Sequence, residues 1–259
     1  MEIVLTIAGS DPSGGAGIQQ DLRTIESLGC SGDSVITALT TQNTHGVQSV
    51  MPVPADVVRS QLEAVLSDLD VKAIKIGQIP SADVAHAIAE TLSHPLTPIT
   101  HHPIILDPVM ISTSGRRLMS EDAIDVVVSE LFPLCTLITP NIPEMETLSA
   151  LSGFDAHNYN LLIKGGHAEG SEMSDRLCLA NGTERVYATE KIESSNLHGT
   201  GCALSSAIAA SLALGYSLEE SVARGKAYVT EAIRRGKDLG IGHGNGPVFN
   251  PDGILPSME

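Results

Sequence analysis

The chain of 259 residues carries 15 Lys and Arg against 31 Asp and Glu, so its formal net charge is −16. This excess of negative charge disfavours nucleic acid and anionic membranes as partners, because both would repel the protein. The length is typical of a single α/β domain, here residues 1–259. Any anionic substrate must therefore be held by local donors, such as glycine-rich turns, helix N-termini or a metal ion.

The predicted elements alternate along the chain between short β-branched strands and helices. Strands are predicted at residues 3–8, 34–39, 73–77, 103–107 and 136–139. A helical pattern follows each strand, and helices are predicted to begin near Gly15, Pro54, Ser81, Ser120, Pro143, Gly201 and Ser217. This order predicts a doubly wound, mainly parallel sheet with helices on both faces.

The alternation ends near residue 176. Residues 176–180 and 185–189 have the pattern of two short strands around Asn181-Gly182. This dipeptide is typical of a type I′ turn between antiparallel strands. We therefore expect an antiparallel hairpin over residues 176–189 that extends the sheet.

The cysteines and the N-terminus indicate a cytoplasmic protein. Four cysteines are widely spaced without a C-x-x-C pair, which favours free thiols over a zinc site or a disulfide framework. The first residues lack a basic segment, and no apolar stretch is long enough to span a membrane. The doublet His101-His102 has no carboxylate at metal-binding helical spacing, so surface histidines are expected there.

Ligands of open α/β sheets bind beyond the carboxyl ends of the strands, and the first such loop here is residues 9–17. It lacks the third glycine of a dinucleotide fingerprint and the Gly-Lys-Ser/Thr of a P-loop, so neither site is predicted. Two interpretations remain open. The loop either approaches a small ligand, with Asp11 and Asp21 as hydrogen-bond partners, or is a tight strand-to-helix turn.

Three later loops carry charged candidates. Asp107 ends an apolar strand, where a carboxylate is typical of a functional site. Asn141 and Glu144 have the spacing of a capping box, although a first-turn Glu beside a phosphate site also suits Mg²⁺ held through water. Lys164 precedes a glycine turn and either counters phosphate charge or is a solvated strand-end lysine.

Residues 198–202, His-Gly-Thr-Gly-Cys, precede a helix-like run. Glycines and the unpaired N–H groups of a helix start are suited to an oxyanion or a phosphate. The same field is expected to lower the pKa of Cys202 and favour its thiolate. The alternative is an ordinary helix start with Cys202 as a small buried side chain. Residues 242–247 either cover the site as a lid or form a mobile tail.

Seven blocks in order resemble the hydroxymethylpyrimidine/phosphomethylpyrimidine kinases of thiamine biosynthesis. The resemblance implies a ribokinase-like fold and ATP with Mg²⁺. It also implies two phosphorylations of 4-amino-5-hydroxymethyl-2-methylpyrimidine, first at its alcohol and then at the monophosphate. A homodimer is expected from the same superfamily. The blocks are residues 5–19, 34–44, 75–77, 106–110, 139–144, 164–167 and 198–202.

Matching the blocks residue by residue implies a role for each candidate. Gln42 hydrogen-bonds the aminopyrimidine edge, since an amide offers both a donor and an acceptor. Cys202 is the catalytic base. The remaining matches fall into groups: Gly9, Asp21 and Val109 line the pyrimidine pocket, Gly199, Thr200 and Gly201 form the anion hole, and Asn141 and Glu144 form the Mg²⁺ and phosphate motif. Beside that motif we expect Asp107 to hold Mg²⁺ together with Glu144, and Lys164 to bind nucleotide phosphate together with Asn141.

Two positions depart from the family pattern. Gln78 stands where the family usually has Met, so we expect a polar or rearranged wall in the pyrimidine pocket. Only twenty positions separate Glu144 from Lys164, where the family typically fits a further helix. We expect this shortening to expose one sheet face, alter the nucleotide side or reduce activity. A pyridoxal kinase and a non-catalytic pyrimidine-binding protein remain the alternatives, while the failed fingerprint disfavours an NAD-dependent oxidoreductase.

Overall fold

The computed structural model describes residues 1–94, 102–167 and 172–249, so His101 and the segment after Phe249 lie outside the described residues. The described strands form one mixed sheet of nine strands. In chain order they are β1 (Ile3–Ser10), β2 (Ser31–Asn43), β3 (Gly46–Pro52), β4 (Val71–Ile76), β5 (Ile104–Leu106), β6 (Leu137–Ile138), β7 (Leu161–His167), β8 (Glu172–Cys178) and β9 (Glu184–Glu190).

The sheet order is β3-β2-β1-β4-β5-β6-β7-β8-β9. The six strands from β2 to β7 in this order are parallel. Antiparallel strands extend both edges, β3 on β2 and the hairpin of β8 and β9 on β7. The predicted doubly wound, mainly parallel sheet is therefore confirmed, and so is its antiparallel extension.

Helices cover both faces of the sheet. They are α1 (Gly17–Ser27), α2 (Ala55–Asp68), α3 (Ala82–Ser93), α4 (Glu121–Val126), α5 (Ile142–Ser149), α6 (Thr200–Ala213) and α7 (Leu218–Gly236). Successive β1 residues point to opposite faces, so Leu5 packs in the core with α2 and α3, whereas Val4 packs in the core with α1, α6 and α7. All seven predicted helix starts lie within two residues of the observed ones.

The hairpin turn differs from the predicted type I′. A type I′ turn needs a positive φ at both Asn181 and Gly182, but only Gly182 has one, at 84°. The N–H of Gly182 donates to Leu179 O and the N–H of Leu179 donates to Thr183 O. This pattern is a type I turn followed by a left-handed glycine, and the Asn181 side chain stabilises it by accepting from the N–H of Thr183.

The second predicted strand, 34–39, continues to Asn43 and turns back as β3. Beyond Leu39 this two-stranded ribbon has no fully buried residue, so it lacks the apolar alternation by which strands are recognised. In the structure Thr44 and His45 form the tight turn between β2 and β3.

The short segment between α5 and β7 has no further α-helix, only a 3-10 helix over Ala156–Asn158. Phe154 and Tyr159 lie against Phe132, with ring centroids 6.4 Å and 5.4 Å away. A shallow groove between α5 and the β7–β8 face, lined by Met145 and Ile163 among others, leaves part of that face open. Among the described helices, none is both long and apolar enough to cross a bilayer.

Candidate active site

The carboxyl ends of the parallel strands surround a cavity of about 470 Å³, a size suited to a small ligand. Every candidate site residue from the sequence lines this cavity except Asp21. Those in the lining are Gly9, Gln42, Gln78, Asp107, Val109, Asn141, Glu144, Lys164, Gly199, Thr200, Gly201 and Cys202.

The start of α6 forms one wall of the cavity. Its N-cap, Gly199, has a φ of 83°, and a Cβ there would lie 1.8 Å from Gly15 O. Only glycine therefore allows this left-handed cap to touch the first glycine-rich loop. The N–H of Thr200 donates to Leu197 O, whereas Gly201 and Cys202, which follow it, line the cavity at a helix start whose dipole suits an anion.

A carboxylate and an ammonium lie beside this helix start. Asp107 is 2% exposed, its Oδ1 accepts from Lys164 Nζ and from Thr139 Oγ1, and its Oδ2 faces Gly201. Burial alone would lower the pKa of the Lys164 ammonium, but the Asp107 and Glu144 carboxylates outweigh burial and raise it. Lys164 is thus a charged, largely buried cation rather than a solvated strand-end lysine.

The capping box predicted at α5 is present. Glu144 N donates to Asn141 Oδ1 at 2.9 Å, and Asn141 N donates to Glu144 Oε2 at 2.8 Å. Burial, together with the Asp107 carboxylate, raises the pKa of Glu144 to about 7, although Lys164 opposes the shift. Glu144 can therefore cap α5 and still serve a bound ligand, because it also lines the cavity.

The donors beside α6 fit a divalent cation of the Mg²⁺ type. Among the described residues no group of three or more His, Cys, Asp or Glu side chains gathers into a complete metal cage. Mg²⁺ needs no such cage, since one or two carboxylates with phosphate oxygens and water suffice. Asp107 and Glu144 supply the carboxylates, and the missing side chain of Gly201 leaves space 3.1 Å from Asp107 Oδ2.

The prediction that Cys202 is a thiolate with a lowered pKa is wrong. The helix field was expected to lower its pKa, but burial, with the Asp21 and Asp107 carboxylates, raises the pKa to about 11. The Lys75 ammonium and the backbone N–H of Gly17 oppose this shift without overcoming it. In the resting protein Cys202 is therefore a protonated thiol.

Asp21 lies beneath the cavity rather than in its wall. It is fully buried with Lys75, whose Nζ donates to Asp21 Oδ2 at 2.7 Å, and it also accepts from Thr6 and Ser206. Its oxygens are thus engaged by the protein, which corrects its assignment to the pyrimidine pocket wall. Lys75 reaches the cavity floor from below, although no role was predicted for it. The sequence feature that could have identified it is a lysine inside a buried parallel strand.

A polar group on the opposite side joins three segments of the chain. His198 Nε2 lies 2.8 Å from Asp11 Oδ2 and 3.0 Å from Gln42 Nε2. Burial alone would raise the pKa of Asp11, but hydrogen bonds from His198 and Ser13 outweigh it and lower the pKa. His198 is thus part of the site, although the sequence gave only its neighbours a role.

Residues 242–247 are anchored on this side of the cavity. The N–H of Asn245 donates to Thr44 O at 2.8 Å, and Thr44 Oγ1 accepts from the N–H groups of His243 and Gly244. His198 N donates to Gly246 O at 3.0 Å. The segment is therefore hydrogen-bonded to the β2–β3 hairpin and to His198 rather than free, although none of its residues lines the cavity.

The far end of the cavity extends between α6, α7 and the β8–β9 hairpin. Leu204, Val229 and Ile233 give it an apolar wall. Lys226 Nζ lies 2.7 Å from Asp175 Oδ2, and Asp175 Oδ1 accepts from the N–H of Gly165. Neither residue was a candidate in the sequence, because both are isolated charges in amphipathic elements.

The comparisons with known proteins bear on this geometry. The sequence profile of the family described as phosphomethylpyrimidine kinase matches residues 11–249. The chain belongs to the phosphomethylpyrimidine kinase family. A hydroxymethylpyrimidine/phosphomethylpyrimidine kinase of Rhizobium meliloti (strain 1021) is 44% identical over 262 residues, covering 96% of each chain.

Solved structures of phosphomethylpyrimidine kinases and their neighbours share the fold. A phosphomethylpyrimidine kinase from Clostridium difficile 630 is 39% identical with a TM-score of 0.73, covering 90% of this chain and 100% of its own. The pyridoxal kinase of Staphylococcus aureus, in complex with AMP-PCP and pyridoxal, is 30% identical with a TM-score of 0.81, covering 100% of this chain and 96% of its own. The ribokinase-like fold and the kinase class expected from the sequence are confirmed, and ATP follows as the phosphoryl donor.

Proposed function

We propose that this kinase phosphorylates the alcohol of 4-amino-5-hydroxymethyl-2-methylpyrimidine and then converts the monophosphate to the diphosphate. The observation that carries the proposal is one cavity in which Cys202 and the start of α6 lie beside Gly9, Gln42 and Val109. Phosphate donors and a pocket for a small polar ring therefore share one space. The family and the Rhizobium relative support the choice of substrate.

In the first reaction the alcohol oxygen bonds to the γ-phosphorus of ATP as the bond to the β-phosphate breaks and ADP leaves. The alcohol proton passes to Cys202 Sγ and then to solvent. N–H groups of Gly201 and Cys202 and the Lys164 ammonium stabilise charge on the transferring group, so positioning dominates the chemistry. With a pKa of about 11, Cys202 accepts the proton through its minor thiolate form.

Asp107 and Glu144 are the residues that would hold Mg²⁺ in this proposal. When bound, the ion neutralises charge on the phosphates of ATP. Asn141 fixes the orientation of Glu144 through the capping box, and Lys164 keeps Asp107 from turning away from Gly201. The protein thus presents its carboxylates in a fixed arrangement before the nucleotide arrives.

The pyrimidine ring lies over Gly9 in this proposal, against Val109. Gln42 hydrogen-bonds the aminopyrimidine edge, and His198 with Asp11 holds the Gln42 amide in place. Below the cavity floor, Asp21 holds the Lys75 ammonium in place through their ion pair. The positive charge of Lys75 favours the thiolate form of Cys202. The pocket therefore orients the hydroxymethyl group toward Cys202.

ADP formation with the pyrimidine alcohol, its monophosphate and pyridoxal, measured side by side under saturating MgATP, tests the proposal. We expect turnover of the first two substrates to exceed that of pyridoxal. Pyridoxal is the second candidate because the Staphylococcus aureus kinase that covers the whole chain at a TM-score of 0.81 binds it. Preference for pyridoxal would replace our assignment, and tight pyrimidine binding without ADP would indicate a binding protein.

We further propose that the protein is a single domain that assembles into a homodimer in the cytoplasm. Leu39 and Met51 are cross-strand neighbours on the ribbon and are 42% and 58% exposed, so they offer an apolar surface for a second copy. All four cysteines are free thiols, which supports a reducing compartment. Sedimentation of the wild type and of Met51→Lys tests the dimer; we expect the variant to be a monomer, and equal masses would contradict this surface.

A further inference from the structure

Gln78 lines the cavity, and its side-chain amide carries a hydrogen-bond donor without a partner among the described residues. It follows β4, is 8% exposed, and its backbone carbonyl accepts from Thr37 Oγ1 at 2.7 Å, so its position is fixed. Its Nε2 is buried and has no hydrogen-bond partner among the described residues. The three other atoms of this kind in the described parts of the chain belong to residues outside the cavity lining, namely Ser120, Ser221 and Arg224.

The strand order places this amide across the pocket floor from Gln42. Gly9 lies near the end of β1, Gln42 lies on its neighbour β2, and Gln78 follows its other neighbour β4. A Cβ on Gly9 would stand 2.1 Å from Gln78 Oε1, so the bare glycine is what lets the amide lean over the floor. A flat ring lying on Gly9 therefore meets one amide at each of two edges.

A buried donor without a partner destabilises the empty pocket, because the amide has lost its hydrogen bonds to water without replacing them. A ligand with an acceptor at that edge restores the bond, whereas a C–H or methyl group leaves the donor unpaired. A site built this way discriminates strongly against analogues that lack the acceptor. The unpaired amide thus destabilises the empty protein, and it favours the binding of ligands that carry an acceptor at that edge.

We propose that Gln78 is a specificity-determining residue that donates its Nε2–H to an unsubstituted ring nitrogen of the substrate, at the edge away from Gln42. The inference rests on the proposed function, since it assigns the second ring edge of the same heteroaromatic alcohol. It restricts the substrate class to rings with an acceptor at that edge. In the proposed pyrimidine this acceptor is the ring nitrogen remote from the amino group.

The test compares this pyrimidine alcohol with its pyridine analogue, in which the remote ring nitrogen is replaced by C–H. Wild type is expected to prefer the pyrimidine in kcat/KM by about tenfold to a hundredfold. Gln78→Met, apolar and similar in volume, is expected to bring this ratio close to one. Gln78→Glu keeps the shape but replaces the donor by an acceptor, so it is expected to turn over the pyrimidine more slowly than Gln78→Met.

The outcomes separate this inference from the proposed function. An equal preference ratio in wild type and Gln78→Met, with wild type active, overturns the role of Gln78 alone. If wild type forms no ADP with the pyrimidine, the proposed function fails, and the ratio of dissociation constants from calorimetric titration decides the role of Gln78. Thermal unfolding guards against a folding defect: Gln78→Met is expected to melt no lower than wild type, because it removes an unpaired buried amide.

Discussion

At the scale of single residues, the site depends on ionisable groups that are held away from solvent. Cys202, Lys164 and Lys75 differ in charge because their neighbours differ, although burial opposes the charged form of all three. The lysines each face a carboxylate at hydrogen-bond distance and stay charged. The Cys202 thiol stays neutral chiefly because burial raises its pKa, with the Asp21 and Asp107 carboxylates adding to the shift and the Lys75 ammonium opposing it.

Cys202→Ala is expected to lower kcat by about a hundredfold or more while nucleotide affinity stays within a few fold. The reason is that the thiol accepts the alcohol proton but does not contribute to the wall that contains Val229 and Ile233. Steady-state kinetics and calorimetric titration of ATP measure the two effects. Unchanged turnover would remove Cys202 from the mechanism.

The pH dependence of kcat follows from the raised pKa of Cys202. A thiol with a pKa of about 11 gains thiolate as the pH rises toward that value, about tenfold for each pH unit below it. We therefore expect wild-type kcat to increase from about pH 7 to about pH 9 and the residual rate of Cys202→Ala to show no such increase. A wild-type profile already flat in this range would contradict proton transfer to Cys202.

Lys75→Met is expected to destabilise the fold by about 3 to 5 kcal/mol, because it leaves Asp21 buried without its cation. Urea unfolding measures the loss. Lys72→Met is the matched control, since Lys72 lies on the same strand but makes an exposed pair with Asp70. If both variants lose equal stability, the buried pair does not stabilise the site.

At the scale of elements, the site is assembled from strand ends and helix starts. α5 and α6 both begin at the cavity, α5 with a side-chain cap and α6 with a bare glycine cap. The side-chain cap satisfies an N–H group within the protein, whereas the glycine cap has no side chain that could occupy the N–H groups of Gly201 and Cys202. One helix start therefore holds a carboxylate in place, and the other receives the phosphate.

Gly199→Ala is expected to destabilise the protein and to abolish measurable turnover. The new Cβ would meet both an unfavourable φ of 83° and Gly15 O at 1.8 Å. Gly182→Ala is the control, because its φ is 84° but nothing lies within 4 Å of the new Cβ. We expect the control to cost about 1 to 2 kcal/mol and to keep full activity. Equal effects in unfolding and turnover would show that the contact between the two glycine loops is unimportant.

Most of the strands and helices could be predicted from the sequence, but not all of them. Strands buried on both faces and capped helices were predicted because apolar runs and the Asn141 and Ser217 caps are local signals. The β2–β3 ribbon was missed because it buries little, and the turn at Gly182 because the dipeptide alone does not set the φ of Asn181. The cavity residues were found through motifs at strand ends. Lys226 and Asp175 were not, because only the packing of α7 against β8 brings them together.

At the scale of the whole molecule, the acidic chain concentrates its buried cations at one place. Lys75, Lys164 and Lys226 all line the same cavity, each paired with a carboxylate. With a net charge of −16, the surface as a whole does not attract an anion. Specific recognition of phosphate must therefore come from short-range contacts inside the cavity.

Asn196 fixes the stretch of chain that leads from α7 to residues 242–247. Its Nδ2 donates to Gly236 O and Leu239 O, which fixes the chain between α7 and residues 242–247. Asn196→Ala leaves these carbonyls without that donor and is expected to cost about 1 to 3 kcal/mol. Because the anchored segment covers the ribbon, KM for the pyrimidine is expected to rise more than KM for ATP. Equal KM changes would show that the segment does not serve the pyrimidine side.

The contact between Thr44 and Gly244 joins positions 200 residues apart in the chain. Such a contact forms only after Gly244 has left the ribosome, long after Thr44, since the chain is synthesised from the N-terminus. The strands and helices that carry Asp107, Glu144 and Lys164 are complete well before then. During synthesis these three residues can therefore take their places before residues 242–247 pack against the β2–β3 ribbon.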